Sequence, residues 1–373
     1  MTASIVSLFG KIPDPRRNCG RRHALSDMVV IAILGVLCGA DGWVQVAQFG
    51  RAKRSWLNTF LDLPHGIPSH DTFGKVFALI RPEAFEECFK AWAAAVSKEI
   101  HGVLAIDGKT LRRSFDTAVG KSALHMVSAW AADNGAVFGQ LATEEKSNEI
   151  TAIPKLLSLL DIKGLIVTID AMGCQKQIAK QIVEQGGDYV LAVKDNQPTL
   201  RRDIEELFEW ALRRDFVGLP SAKTEHTEKG HGRIETRRLW MTTELGLIQG
   251  RAAWHGLRCV AMIESCRTIA EKTTTERRYY ISSLDTRNGQ ELARACRAHW
   301  GVENGLHWSL DVAFREDECR VRKGHGAENL SRLRRIGLTL LKQETTEKVG
   351  IKTKRLRAGW DHDYLLQILG GIE

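Results

Sequence analysis

The chain of 373 residues is long enough for two or more folded units with a sizeable core and no need of cross-links. Its 43% hydrophobic and 26% charged residues exclude wholesale disorder. Lys and Arg number 53 against 45 Asp and Glu, a net charge of +8.

Reading from the N-terminus, Lys11–Arg22 holds a local surplus of basic residues. The apolar run Met28–Ala40 follows, and the hydroxyl of Ser26 is placed to cap it as a helix. That run is too short to span a bilayer. Asp27 at its edge and Leu37 before Cys38 argue against an export or lipoprotein signal, so no membrane partner is expected. The 8 cysteines contain no CxxC pair, which fits neither a zinc knuckle nor a disulfide scaffold and points to reduced thiols in a cytoplasm.

Gly42–Leu61 carries a second helical pattern that includes the basic patch Arg51, Lys53 and Arg54. Pro64, Gly66 and Pro68 then force a turn, Ser69 opens a short helix beginning at His70, and Pro82 fits the first turn of another. The layout suits a DNA-binding helix-turn-helix and equally a three-helix packing without DNA. Residues 1–98 are read as a helical domain.

Beyond it, Val103–Asp107, Ser122–Ala131 and Ala136–Ala142 read as strands. Glu149–Leu160 reads as a helix, Leu165–Asp170 as a buried strand, the stretch to Gln185 as a helix and Tyr189–Val193 as a strand. The pattern predicts an α/β fold with a mixed sheet. Residues 196–286 break the rhythm with a helix and strand-like pieces and are read as a β-rich insertion in a domain of 99–345. Asn288 and Glu291 start a long helix through Val312, and a helix at Ala327–Gln343 alternates apolar and basic positions. Arg315–Arg357 has 13 basic and 6 acidic residues, leading into a basic C-terminal tail at 346–373. Two separated basic stretches suit a polyanion, or a solvated basic surface.

Two predicted strands end in aspartate, at Asp107 and Asp170, and Glu303 lies in the long helix. Carboxylates from two strand ends and one helix suit a pair of Mg²⁺ ions, whereas a strand-end Asp alone is also a common helix cap. His299, Glu303 and His307 stack at i, i+4 spacing, but linear spacing along one helix does not readily close around a zinc ion. Gly108-Lys109-Thr110 is not a phosphate loop, since Val103 stands where that motif needs glycine.

The strings Ile106-Asp-Gly-Lys-Thr110, Lys146-Ser-Asn-Glu-Ile150, Asp170-Ala-Met-Gly-Cys-Gln175 and Val193-Lys-Asp-Asn-Gln-Pro198 carry a resemblance. So do Gly66-Ile-Pro-Ser-His-Asp-Thr-Phe73, His231-Gly-Arg-Ile-Glu235, His299-Trp300 with Glu303-Asn304, and Leu306-His-Trp308 with Leu310-Asp-Val312. The chain resembles DDE-class bacterial insertion-sequence transposases, and within them the H-repeat-associated, Rhs-linked subgroup, from about Arg16 nearly to its C-terminus. The resemblance implies an RNase H-like (retroviral-integrase-like) core after an all-helical N-terminal domain that binds DNA. It implies that Asp107, Asp170 and Glu303 hold two Mg²⁺ ions, with Mn²⁺ able to substitute.

Broader relatives carry Tyr, Arg and Lys around the glutamate where this sequence has Cys296, His299 and Leu310. His299, with Arg297 or His307, is therefore expected to take over phosphate contact. Lys109 is placed to meet a phosphate or to lie on the surface. Trp240 or Trp254 is expected to stack on a base, against the plain alternative of core packing. The basic patch Arg51, Lys53 and Arg54, the helix from Ser69 and His70, and the C-terminal basic stretch are expected to grip double-stranded DNA. The implied activity is binding of terminal inverted repeats, hydrolysis at the ends and joining of the 3′-OH to target DNA by a homodimer in a synaptic complex. A non-catalytic DNA-binding regulator and a nuclease that cuts without joining are the alternatives.

Overall fold

A computed structural model describes residues 5–18, 21–96, 101–115, 117, 120–143, 148–230, 232–285 and 289–369. The chain divides into two compact units, one of residues 1–101, 108–148 and 302–373, the other of 102–107 and 149–301. The N-terminal part carries α1 (Ile5–Phe9), α2 (Leu25–Leu37), α3 (Trp43–Ala52), α4 (Arg54–Leu57), α5 (His70–Leu79) and α6 (Pro82–Val96). Strands β1 (Val103–Thr110), β2 (His125–Ala131) and β3 (Ala136–Thr143) follow, then α7 (Glu149–Ser158), β4 (Ile166–Ile169) and α8 (Lys176–Glu184). Next come β5 (Asp188–Val193), α9 (Pro198–Arg213), β6 (Ala222–Gly230), β7 (Arg233–Thr242), β8 (Cys259–Ile269) and β9 (Lys272–Ser282). The chain continues with α10 (Gly289–Val302), α11 (Trp308–Phe314), α12 (Gly326–Gln343), α13 (Ile351–Trp360) and α14 (His362–Ile368). The fold is mixed α/β with a large sheet, as expected. No helix among the described residues is long and apolar enough to cross a membrane.

In the first unit, α2 is buried from Met28 to Leu37. It starts at Leu25 from the extended Ala24, so Ser26 lies inside the first turn with Oγ 3.3 Å from Asp27 and is not the cap. The second helical pattern breaks at Lys53 into α3 and α4. Ser69 does cap α5, accepting from the Thr72 N–H at 3.2 Å. Strands β2 and β3 form an antiparallel hairpin whose turn places Gly135 at φ 61°.

The basic face expected on α12 is inside the molecule. Arg332, Arg334 and Arg335 are buried, as are Lys354 and Arg355 of α13. Arg332 pairs with Glu86 at 2.8 Å, Arg335 with Glu316 at 2.9 Å, and Lys354 with Glu344 at 3.0 Å. Arg355 lies over the Phe314 ring at 4.1 Å and donates to the Val36 carbonyl at 2.8 Å. Buried cations require such partners. These five members of the C-terminal basic stretch hold the fold together, and residues 346–368 are largely helical where a basic tail was expected.

In the second unit the strand order is β1-β4-β5-β9-β8-β7-β6. β1, β4 and β5 are parallel, as buried runs rich in Val and Ile favour. β5 pairs antiparallel with β9, so the segment read as an insertion prolongs the same sheet through β9, β8, β7 and β6. Leu292, Ala295 and Cys296 of α10 share one apolar core with Leu239, Met241, Cys259 and Tyr280. The expected helix through Val312 is interrupted by a π-helical turn at Glu303–His307, and Asn288, its expected cap, lies outside the described residues.

Candidate active site

The β1–β4 register ends on Ile106 opposite Ile169, so Asp107 and Asp170 follow side by side on neighbouring parallel chains. Asp170 leaves its strand there, as expected. Asp107 does not: β1 runs on through Gly108, Lys109 and Thr110, and Leu111 N–H still bonds the Leu124 carbonyl at 2.8 Å. The apolar run stops at Asp107, but the extended backbone continues.

Asp170 caps a short 3₁₀ turn, Ala171–Gly173. Its Oδ1 accepts from Met172 N–H at 3.0 Å and from Gly173 N–H at 3.4 Å, while Oδ2 makes no hydrogen bond among the described residues. The cap fixes the carboxylate through Oδ1 alone. A Cβ at Gly173 would stand 2.2 Å from Ile169 Cγ2, so any larger residue there would force the Ile169 side chain to shift. Asn196 donates to the Ala171 carbonyl at 2.5 Å and Gln197 to the Cys174 carbonyl at 2.9 Å. The Asp-Asn-Gln loop after β5 thus braces the Asp170 loop. Both strings were visible in the sequence, but their mutual contact was not.

His299 Nδ1 lies 3.1 Å from Thr168 Oγ1, which holds α10 against β4 two residues before Asp170. The helix then passes into the π-helical turn that begins with Glu303, whose side chain is exposed. Such turns within α-helices recur at functional sites. His307, one turn on and an expected partner of His299 in phosphate contact, is buried with Nδ1 3.9 Å from Glu303 Oε2. Asp107 and Asp170 in the second unit and Glu303 in the first are carboxylates, hard oxygen donors whose chemistry fits Mg²⁺ or Mn²⁺.

Other expected contacts are redirected. Lys109 is buried, with Nζ 2.8 Å from Asp311 and 2.7 Å from Asp317, so two acids already neutralise it. Burial raises the Asp311 carboxyl above the usual range, against the opposing pull of Lys109. Arg297 is ion-paired with Glu228 of β6. Trp240 and Trp254 are both buried, and Trp240 stacks on Phe216 at 5.7 Å, which is the core alternative. Arg51, Arg54, Ser69 and His70 are exposed and Lys53 half-buried. Lys146, Ser147 and His231 lie outside the described residues.

A family model described as the transposase DDE domain matches residues 98–340, and one described as DDE_Tnp_1-associated matches residues 6–93. The chain belongs to the DDE transposase family. It is 41% identical over 367 residues to the H repeat-associated protein YhhI of Escherichia coli strain K12, covering 96% of each chain. It is 41% identical to YncI of Escherichia coli O157:H7, covering 98% of this chain and 94% of that one. A protein encoded in the dhlA 3′ region of Xanthobacter autotrophicus is 48% identical over 74% of this chain and 92% of its own. This DDE transposase also matches a piggyBac transposase solved as a synaptic complex with hairpin DNA, at 12% identity and a TM-score of 0.46, over 98% of this chain and 78% of that one.

Proposed function

We propose that this chain binds the terminal inverted repeats of its own insertion sequence, hydrolyses the phosphodiester at each end and joins the exposed 3′-OH to target DNA. The observation that carries the reading is the adjacency of Asp107 and Asp170 at the end of the β1–β4 register, within a DDE family match. In this reading Asp107, Asp170 and Glu303 hold two Mg²⁺ ions, with Mn²⁺ able to substitute. When bound, such ions activate water and stabilise the charge on the attacking and leaving oxygens.

The residues around them supply position. The Asp170 cap fixes that carboxylate through Oδ1. The Thr168–His299 bond holds α10 near the end of β4, and the helix leads on to Glu303. Parallel β1, β4 and β5, with the hairpin β2–β3 following β1 in the chain, support an RNase H-like core. The exposed Arg51 and Arg54 and the helix that starts after Ser69 remain the sites for end binding, through phosphates first and bases second. Work on two ends at once calls for a homodimer, in the cytoplasm with the chromosome.

The test is an assay with labelled element ends and Mg²⁺ or Mn²⁺. Asp107→Asn, Asp170→Asn and Glu303→Gln should each abolish cleavage and joining while end binding persists. Strand transfer by any one of them refutes the assignment. A wild-type protein that binds ends without cutting is a regulator, and one that cuts without joining is a nuclease.

A further inference from the structure

We infer that the outer edge of β6 is a self-complementary docking strand through which two copies of this chain associate. β6 stands last in the strand order and pairs only with β7. Most of its side chains are exposed: Lys223 is 53% exposed, Glu225 43% and His226 66%. Among the described residues, the backbone of 222–230 makes no hydrogen bond beyond the β7 ladder. A long edge of this kind is a template for another strand.

The order of its side chains identifies that strand. An antiparallel pairing of β6 with a second β6, two-fold about Thr227, sets Glu225 opposite Lys229 and His226 opposite Glu228, each contact occurring twice. Thr227 faces Thr227, and Thr224 faces Gly230. Centring one residue earlier, on His226, opposes Lys223 to Lys229, and centring on Glu225 opposes that residue to itself. Centring on Thr224 also opposes Lys223 to Glu225, but it pairs only 222–226, whereas the Thr227 register pairs 224–230 with both of its charged pairs in the attractive sense. Directly opposite residues are the ones that interact across a sheet. A charged edge that merely repels neighbours has no reason to be self-complementary. Strand pairing of this length is a small interface, so association should depend on concentration.

This inference stands apart from the catalytic reading and is tested without DNA. Sedimentation of the full chain over a range of concentrations should show a monomer–dimer equilibrium. Hydrogen exchange at 224–230 should slow as the concentration rises. Glu225→Lys, and separately Lys229→Glu, should weaken dimerisation roughly tenfold by opposing like charges twice. The double variant Glu225→Lys/Lys229→Glu should restore it. Glu225 also meets Arg238 at 3.2 Å, so the thermal midpoint of each variant is measured alongside. A monomer at every concentration, exchange protection elsewhere, or a double variant as weak as the singles while equally folded overturns the proposal. If both single variants misfold, the wild-type exchange pattern decides.

Discussion

Thr168 and His299 form a polar tie between a buried strand and the helix that leads to Glu303, with Oγ1 and Nδ1 3.1 Å apart. Thr168 is buried, so its hydroxyl must find a partner, and the imidazole supplies it. The tie fixes the rotation of α10 just before the π-helical turn.

Thr168→Val keeps the shape of the side chain and removes the hydroxyl. It should cost about 1 kcal/mol of stability. If His299 is a positioning residue, cleavage of element ends should fall about tenfold with end affinity unchanged, the rate equivalent of roughly 1.4 kcal/mol. Loss of end affinity with normal cleavage would instead make His299 a DNA contact.

Glu316 and Arg335 are both fully buried and 2.9 Å apart, with Ser331 bonding the same carboxylate oxygen at 2.9 Å. Removing one member leaves a charge in the core. Glu316→Gln or Arg335→Met alone should therefore destabilise by about 3–5 kcal/mol in urea unfolding. The two together should cost less than the sum of the singles, and additive losses would show that the pair is not coupled.

These arginines mark where sequence reading reached its limit. On α12 they alternate with leucines just as a solvated face would, and their acids, Glu86 and Glu316, come from elsewhere in the chain. Strand β6 escaped notice for a related reason: Ala-Lys-Thr-Glu-His-Thr-Glu-Lys-Gly has no apolar alternation because much of both faces meets solvent. The end of β4 at Asp170 was legible, since an apolar run stops where the chain turns. The continuation of β1 past Asp107 was not, because Gly108-Lys109-Thr110 is polar while its backbone stays in the strand. Ser69 was legible as a cap because the preceding prolines and glycine isolate it, whereas Ser26 competes with Ala24 for the same helix start.

The Glu228 carboxyl is held at about 2, below its ordinary 4.5, chiefly by the hydrogen bond from Arg297 and further by His226 and Arg237. A lowered carboxylate pKa means that the stabilisation is complete above 4.5 and is lost as pH falls toward 2. The pair is exposed, so its contribution is small and salt weakens it. Arg297→Ala should raise the Glu228 titration midpoint toward 4.5 in an NMR titration. Adding element-end DNA to the wild type should do the same if phosphate draws Arg297 away. An unmoved midpoint in the variant would show that Arg297 is not the principal partner.

Lys109 offers a sharper choice between structure and DNA contact. A lysine that grips phosphate contributes to the salt dependence of binding, and its loss lowers the slope by about one. Here Lys109 is enclosed with Asp311 and Asp317, and Arg112 also reaches Asp317 at 3.1 Å. Lys109→Met would leave Asp311 without its nearest cation in a partly buried site. The expected result is a fall of about 1–3 kcal/mol in unfolding free energy, with an unchanged salt slope for end binding. Asp311→Asn in the Lys109→Met background should recover part of that loss by removing the stranded charge. A reduced salt slope with unaltered stability would return Lys109 to the DNA-binding surface.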